Sequence, residues 1–225
     1  MKKNAAIYHF TNGSNKRPII YKKQLKILKS FAVSHGFVVK EIYCDKSLRK
    51  CEQSEFSRLM SEIDKYDAII VKDLYHIYKN TMKCIGVIKN LLHKNIQIHS
   101  IDNGTLLLED TPFDKPLRVA SYCCRFGTPD EIKQINSVHN DILKLFIKKK
   151  TNWTLIQQYF DESEHQKDGE QIELKKLIQN RDKYDLLIVH NLNNLHWRTS
   201  NFCKIQEQLH FDIFSLQEGL IKFYR

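Results

Sequence analysis

Glycine and proline are scarce, with 7 and 4 in 225 residues. That excludes collagen-like and low-complexity chains and leaves little room for long irregular loops. No stretch approaches the about 18 consecutive apolar residues of a membrane-spanning helix. The opening MKKNAAIYHF carries two lysines but no apolar run behind them, so no secretion signal is read and no membrane partner is expected. The cysteines, Cys44, Cys51, Cys84, Cys123, Cys124 and Cys203, form no Cys-x-x-Cys pair and no zinc-type spacing with histidine. Reduced thiols in a cytoplasmic protein, with no metal and no cofactor, are the expectation. His190 and His196 bracket NLNNL without the spacing of a helix-face metal site, and His9, His35, His93 and His99 are scattered as structural histidines would be.

Charge is plentiful and uneven. The chain carries 36 Lys and Arg against 26 Asp and Glu, for a net charge of +10. Nearly all of the excess falls before residue 111, where 19 basic residues face 11 acidic ones. A basic first half points to an anionic partner, nucleic acid first among them, or to a solvated lysine surface. Lys22, Lys23, Lys26 and Lys29, together with Arg49 and Lys50, are the candidate phosphate contacts.

One phrase is written twice. DKYDAIIVKDL runs from Asp64 to Leu74 and DKYDLLIVHNL from Asp182 to Leu192, an ungapped offset of 118 residues. Around each copy the same order of elements is predicted. In the first half these are a strand AAIYHF, a helix from about Ile19 to His35, a strand FVVKEIYCD and a helix at SEFSRLMSEID capped by Ser54. The strand YDAIIV, the helix TMKCIGVIKNLLHKN and the strand IQIHSID follow. In the second half RVASYCCRF, EIKQINSVHNDILKLFIKKK, WTLIQQYFD, EQIELKKLIQN, YDLLIV, NFCKIQEQLH and FDIFSLQEG take the same places, WTLIQQYFD being the least strand-like. Asn103–Leu117, with Pro112 and Pro116, reads as a linker. Continuous apolar strands alternating with helices predict a doubly wound α/β fold. Two tandem domains are expected, 1–110 and 111–225, each with a mostly parallel sheet flanked by helices.

The order and spacing resemble the catalytic domain of the serine recombinases, the resolvase/invertase family. The segments YHFTN, CDKSLRKCEQSEF and DLYHIYKN stand where that family carries a Tyr-x-Arg-Val-Ser motif, an Asp-x-x-x-Ser-Gly loop leading to an arginine, and Leu-Asp-Arg-Leu-x-Arg. The resemblance implies a serine that attacks a DNA phosphodiester and arginines that hold the phosphoryl oxygens. It places the motif arginine on Phe10, the serine on Asn12 and the later arginines on Gln53, His76 and Lys79. In the second half, with a one-residue shift, the same positions fall on Arg125, Gly127, Gln171, Asn194 and Trp197. Asparagine and glycine supply no attacking oxygen, so no catalytic residue is assigned and a pseudo-enzyme is expected. Ser14, with His76 as base, is the remaining route to an active recombinase or nuclease.

The family's separate DNA-binding module and its long dimer helix have no counterpart between HSIDNG and the second copy, or in the LIKFYR that follows SLQEG. Three functions stay open. A regulator could bind a serine recombinase or another DNA-transaction protein, as a monomeric pseudo-dimer or a homodimer, in recombination, mobile-element or phage control. The alternatives are a sequence-tolerant nucleic-acid binder using the basic half, and a divergent recombinase using Ser14.

Overall fold

In the computed structural model the described residues are 3–10, 18–45, 54–109, 115–126, 138, 141–163 and 171–224. The chain divides into two compact units, one mainly up to Leu107 and the other mainly from Leu108 onward. The first contains β1 (Lys3–Phe10), α1 (Pro18–Ser34), β2 (Phe37–Asp45), α2 (Ser54–Ser61), β3 (Ala68–Val71), α3 (Thr81–His93), β4 (Gln97–Ser100) and β5 (Gly104–Glu109). The second contains β6 (Leu117–Phe126), α4 (141–148, with Val138 also helical), β7 (Trp153–Ser163), α5 (Ile172–Gln179), β8 (Leu186–Val189), α6 (Thr199–Leu209), β9 (Asp212–Ser215) and β10 (Gly219–Tyr224).

Each unit carries a mixed, mostly parallel sheet. In the first the strands lie in the order β2-β1-β3-β4-β5, and in the second β7-β6-β8-β9-β10. Only β5 and β10 run antiparallel to their neighbours β4 and β9. The central strands β3 and β8 are buried along their whole length because helices cover both faces, which is why AIIV and LLIV are uninterrupted apolar runs. On one face of the first sheet Leu28 and Ala32 of α1 pack on Ala5, Ile7 and Ile70. The matching core of the second unit joins Leu143 and Ile147 of α4 to Val119, Leu186 and Ile188.

The registers of the two units correspond residue by residue. Ile7 lies beside Ile70, and Ser121 beside Ile188. The β1–β2 ladder slips between Ala5 and Ala6, and the β6–β7 ladder slips between Val119 and Ala120, the same place in each. Past the slip, Phe10 faces Asp45 and Cys124 faces Asp161.

Polar contacts recur with that register. The Tyr8 hydroxyl donates to Asp45 Oδ2 at 3.0 Å, and the Tyr122 hydroxyl to Asp161 Oδ2 at 2.9 Å. Asp45 also accepts the amides of Glu55 and Phe56, and Asp161 those of Glu173 and Leu174. Tyr43 and Tyr66 join hydroxyls at 2.7 Å, as Tyr159 and Tyr184 do at 2.6 Å. The Leu74 amide donates to Asn103, which takes a bond from Ser100; the Leu192 amide donates to Glu218, which takes one from Ser215.

Two sequence expectations are corrected. Ser54 is the first residue of α2 rather than its cap; Asp45, reaching from the end of β2, accepts the first amides instead. The expected linker Asn103–Leu117 holds strand β5, and the LIKFYR tail holds most of β10. Both are hairpin strands reached through glycines, Gly104 at φ 84° and Gly219 at φ 94°, a conformation that other residues avoid. WTLIQQYFD forms a strand as expected, with a bulge at Ile156, which has no partner in the register.

Asp45 is 2% exposed and serves three donors. Its replacement by alanine leaves Tyr8 and two helix amides unpaired, and should cost about 3 kcal/mol in urea unfolding. Tyr8→Phe, which removes one donor and leaves the cap intact, should cost about 1 kcal/mol. Equal losses for the two variants would show that the carboxylate does not cap α2.

Candidate functional site

The strand ends that the sequence singles out lie at the C-terminal edge of each sheet, where open α/β sheets bind ligands. In the first unit the turn Leu74–His76 follows β3 and starts from Asp73, whose carboxylate accepts the Tyr75 amide at 2.8 Å. This turn lays His76 against the end of β1. Its ring sits 6.0 Å from that of His9 and 5.8 Å from that of Phe10, edge-on to both. Tyr78 packs edge-on against Phe56, at 5.9 Å. His76 Nδ1 is buried without a hydrogen-bond partner. Its pKa is pulled down to about 4, first by burial and then by the charges of His9 and Lys72. That of His9, fully buried on β1, is lowered by the same burial and by Lys72.

An imidazole with so low a pKa is neutral at pH 7 and a weak proton acceptor, a poor base for a hydroxyl nucleophile. The end of β1 thus carries a phenyl ring and two imidazoles whose pKa values burial lowers. Lys79 points to solvent, beyond this cluster.

In the second unit the corresponding amides are hydrogen-bonded to neighbouring backbone and to a tyrosine. Gln171 Nε2 donates to the Tyr122 hydroxyl at 3.1 Å and to the Leu195 carbonyl at 2.8 Å. Asn194 donates from Nδ2 to the Cys124 carbonyl at 3.3 Å and accepts the Asn191 amide at Oδ1. Their amide groups thus tie the loop after β8 to the end of β6. Burial raises the pKa of Cys124 to about 11, so it carries no thiolate at neutral pH. Trp197 stacks on His196, at 6.3 Å and 22°.

Residues 14–121 match the model of the Resolvase, N terminal domain. Three similar solved structures are recombinase domains. The N-terminal catalytic domain of TP901-1 integrase is 23% identical, covering 44% of this chain and 79% of its own, with a TM-score of 0.40. The C-terminal catalytic domain of ISC1926 TnpA, an IS607-like serine recombinase, is 13% identical over 66% and 88%, with a TM-score of 0.39. A resolvase family site-specific recombinase from Streptococcus pneumoniae is 15% identical over 67% and 93%, with a TM-score of 0.37. An ABC transporter solute-binding protein from Burkholderia multivorans is 13% identical over 96% and 80%, with a TM-score of 0.31. No curated protein matches the chain.

Among the resolvase positions, the structure brings Phe10 and His76 together in the first unit. In the second, Gln171 and Asn194 converge on the end of β6. One assignment needs correction. The register pairs Cys124, not Arg125, with Asp161, so Cys124 is the counterpart of Phe10. Arg125 lies one step further, beside Glu162, and the position two residues past Cys124 is Phe126 rather than Gly127. The one-residue shift assumed from sequence was unnecessary because the strands carry matching bulges. Asn12, Ser14, Arg49, Lys50, Gln53 and Gly127 lie outside the described residues. Lys22, Lys23, Lys26 and Lys29 are all exposed on α1. The Tyr8–Asp45 and Tyr122–Asp161 pairs escape the sequence reading, although a Tyr-x-Asp closes β2 and another stands two residues short of the end of β7.

The His76 arrangement fixes a pH dependence. Its folded pKa lies below the ordinary 6.5, so the unfolded chain takes up the proton first. The stability this imidazole contributes is therefore present above about pH 6.5 and lost as the pH falls towards about 4. His76→Asn, which installs the side chain of its counterpart Asn194, should flatten the fall in thermal midpoint across that window. An unchanged slope would place the acid sensitivity elsewhere.

Proposed function

We propose that the chain is a catalytically inactive, resolvase-like protein made of two divergent copies of one domain. It acts in DNA recombination or in the control of a mobile element or phage, by binding a protein partner. The observation that carries this reading is the residue set at the two equivalent strand ends. The arginine position is Phe10 in one unit and Cys124 in the other, and two residues on stand Asn12 and Phe126. None supplies the hydroxyl that would form a bond to DNA or the guanidinium that would steady its transition state. The packing of His76 on Phe10 and the hydrogen-bonded amides of Gln171 and Asn194 support the same conclusion.

A serine recombinase is the partner this reading favours. A chain holding two recombinase-like units presents both at one effective concentration, and can occupy an interface that otherwise takes two separate subunits.

A second reading, direct nucleic-acid binding, is favoured by the four exposed lysines of α1 in the half that carries most of the positive charge. It requires an affinity that falls steeply with salt and a shallower salt slope after Lys22→Glu and Lys26→Glu.

The proposal is tested by incubating the purified chain with supercoiled plasmid and separating the products under denaturing conditions. No nicked DNA and no protein-linked DNA are expected. A covalent adduct mapped to Ser14 by mass spectrometry, and abolished by Ser14→Ala, would make the chain an enzyme.

A further inference from the structure

Helices α1 and α4 hold equivalent places in the two units. Leu28 and Ala32 of α1 enter one core as Leu143 and Ile147 of α4 enter the other, which sets the helices in register. In that register Lys23, Ile27 and Ser30 correspond to Val138, Ile142 and Leu145. The three positions are a lysine, an isoleucine and a serine in the first unit and are all aliphatic in the second.

Val138, Ile142 and Leu145 are 57%, 40% and 59% exposed. Their i, i+4, i+7 spacing puts them in one stripe, on the side away from Leu143 and Ile147. Isolated apolar residues on a surface need no explanation, but a contiguous stripe with a charged rim marks an interaction site. Among the described residues the rim is mainly basic: Lys144, Lys148 and Lys149 are exposed, against one exposed acid, Asp141.

We propose that this stripe of α4 docks an acidic amphipathic helix of a partner protein. The partner's apolar residues cover Val138, Ile142 and Leu145, and its carboxylates meet Lys144, Lys148 and Lys149. This is helix-on-helix recognition read through i, i+4, i+7 anchors. Charge argues against a second copy of this chain, because pairing α4 with itself sets three lysines against three with one aspartate each to offset them. The inference locates the surface for the protein partner proposed above and rests on that reading.

The test uses the full chain and two synthetic helical peptides of one design. Both carry leucines at i, i+4 and i+7; one has flanking glutamates and the other lysines in their place. Fluorescence anisotropy should report binding of the glutamate peptide that weakens with salt. Its affinity should drop at least tenfold on Leu145→Ser and on the double change Lys144→Glu, Lys148→Glu, and the lysine peptide should bind at least tenfold more weakly. Equal binding of the two peptides, no binding of the glutamate peptide, or indifference to Leu145→Ser would overturn the proposal. So would a wild-type dimer in sedimentation that Leu145→Ser dissociates, since the stripe would then belong to a second copy. These outcomes are separable from the parent reading. A DNA adduct would end the non-catalytic account whatever the peptides do, and peptide failure would remove this surface while leaving that account standing.

Discussion

A single buried carboxylate at the end of the second strand organises each unit. Asp45 and Asp161 each tie their own strand to two other elements: the tyrosine of the neighbouring strand, β1 or β6, and two amides at the start of the helix that follows. A buried carboxylate is costly unless its lone pairs are filled, and here donors from two separate elements fill them. That arrangement fixes where α2 and α5 start and how far β1 and β6 extend. It therefore fixes the strand-end geometry in which a recombinase would place its chemistry. The tyrosines respond to the same environment, burial raising the pKa of Tyr8 and Tyr122 well above the ordinary phenol.

The frame and the reactive edge have followed different courses. Where the frame is concerned, the two units agree down to the position of a bulge and the Tyr43–Tyr66 and Tyr159–Tyr184 pairs. At the edge they share almost nothing. The first closes it with rings, His9, Phe10 and His76, and the second with amides, Gln171 and Asn194. On the account proposed here, selection held the frame because loss of its buried bonds destabilises the fold, while nothing held the groups that a scissile phosphate required.

Much of the fold was legible because it rests on pattern. The runs AIIV and LLIV, the helical spacing of Leu25, Leu28 and Ala32, and the repeated phrase at an offset of 118 all arise from burial, which leaves a periodic trace. What escaped was held by contacts between residues distant in sequence. The cap of α2 was assigned to Ser54 because capping is sought next to the helix, whereas the carboxylate comes from Asp45, ten residues before Glu55. Strand β5 escapes because it follows a glycine turn inside the stretch that Pro112 and Pro116 mark as a linker. At the strand ends, the register of β6 places Cys124 opposite Asp161, and the bulge on the neighbouring strand that sets this register leaves no trace in the sequence of β6 itself.

Native-state hydrogen exchange at four amides tests the central claim, that one buried frame is built twice. The amides of Glu55 and Phe56 bond to Asp45, and those of Glu173 and Leu174 to Asp161. First-turn helix amides ordinarily exchange quickly, because nothing within the helix accepts from them. If the carboxylates cap both helices, all four should exchange slowly, at rates close to those of the β3 and β8 amides, and the two units should match. Fast exchange at either pair would contradict the account, because that unit would then lack the interaction on which its fold is argued to depend.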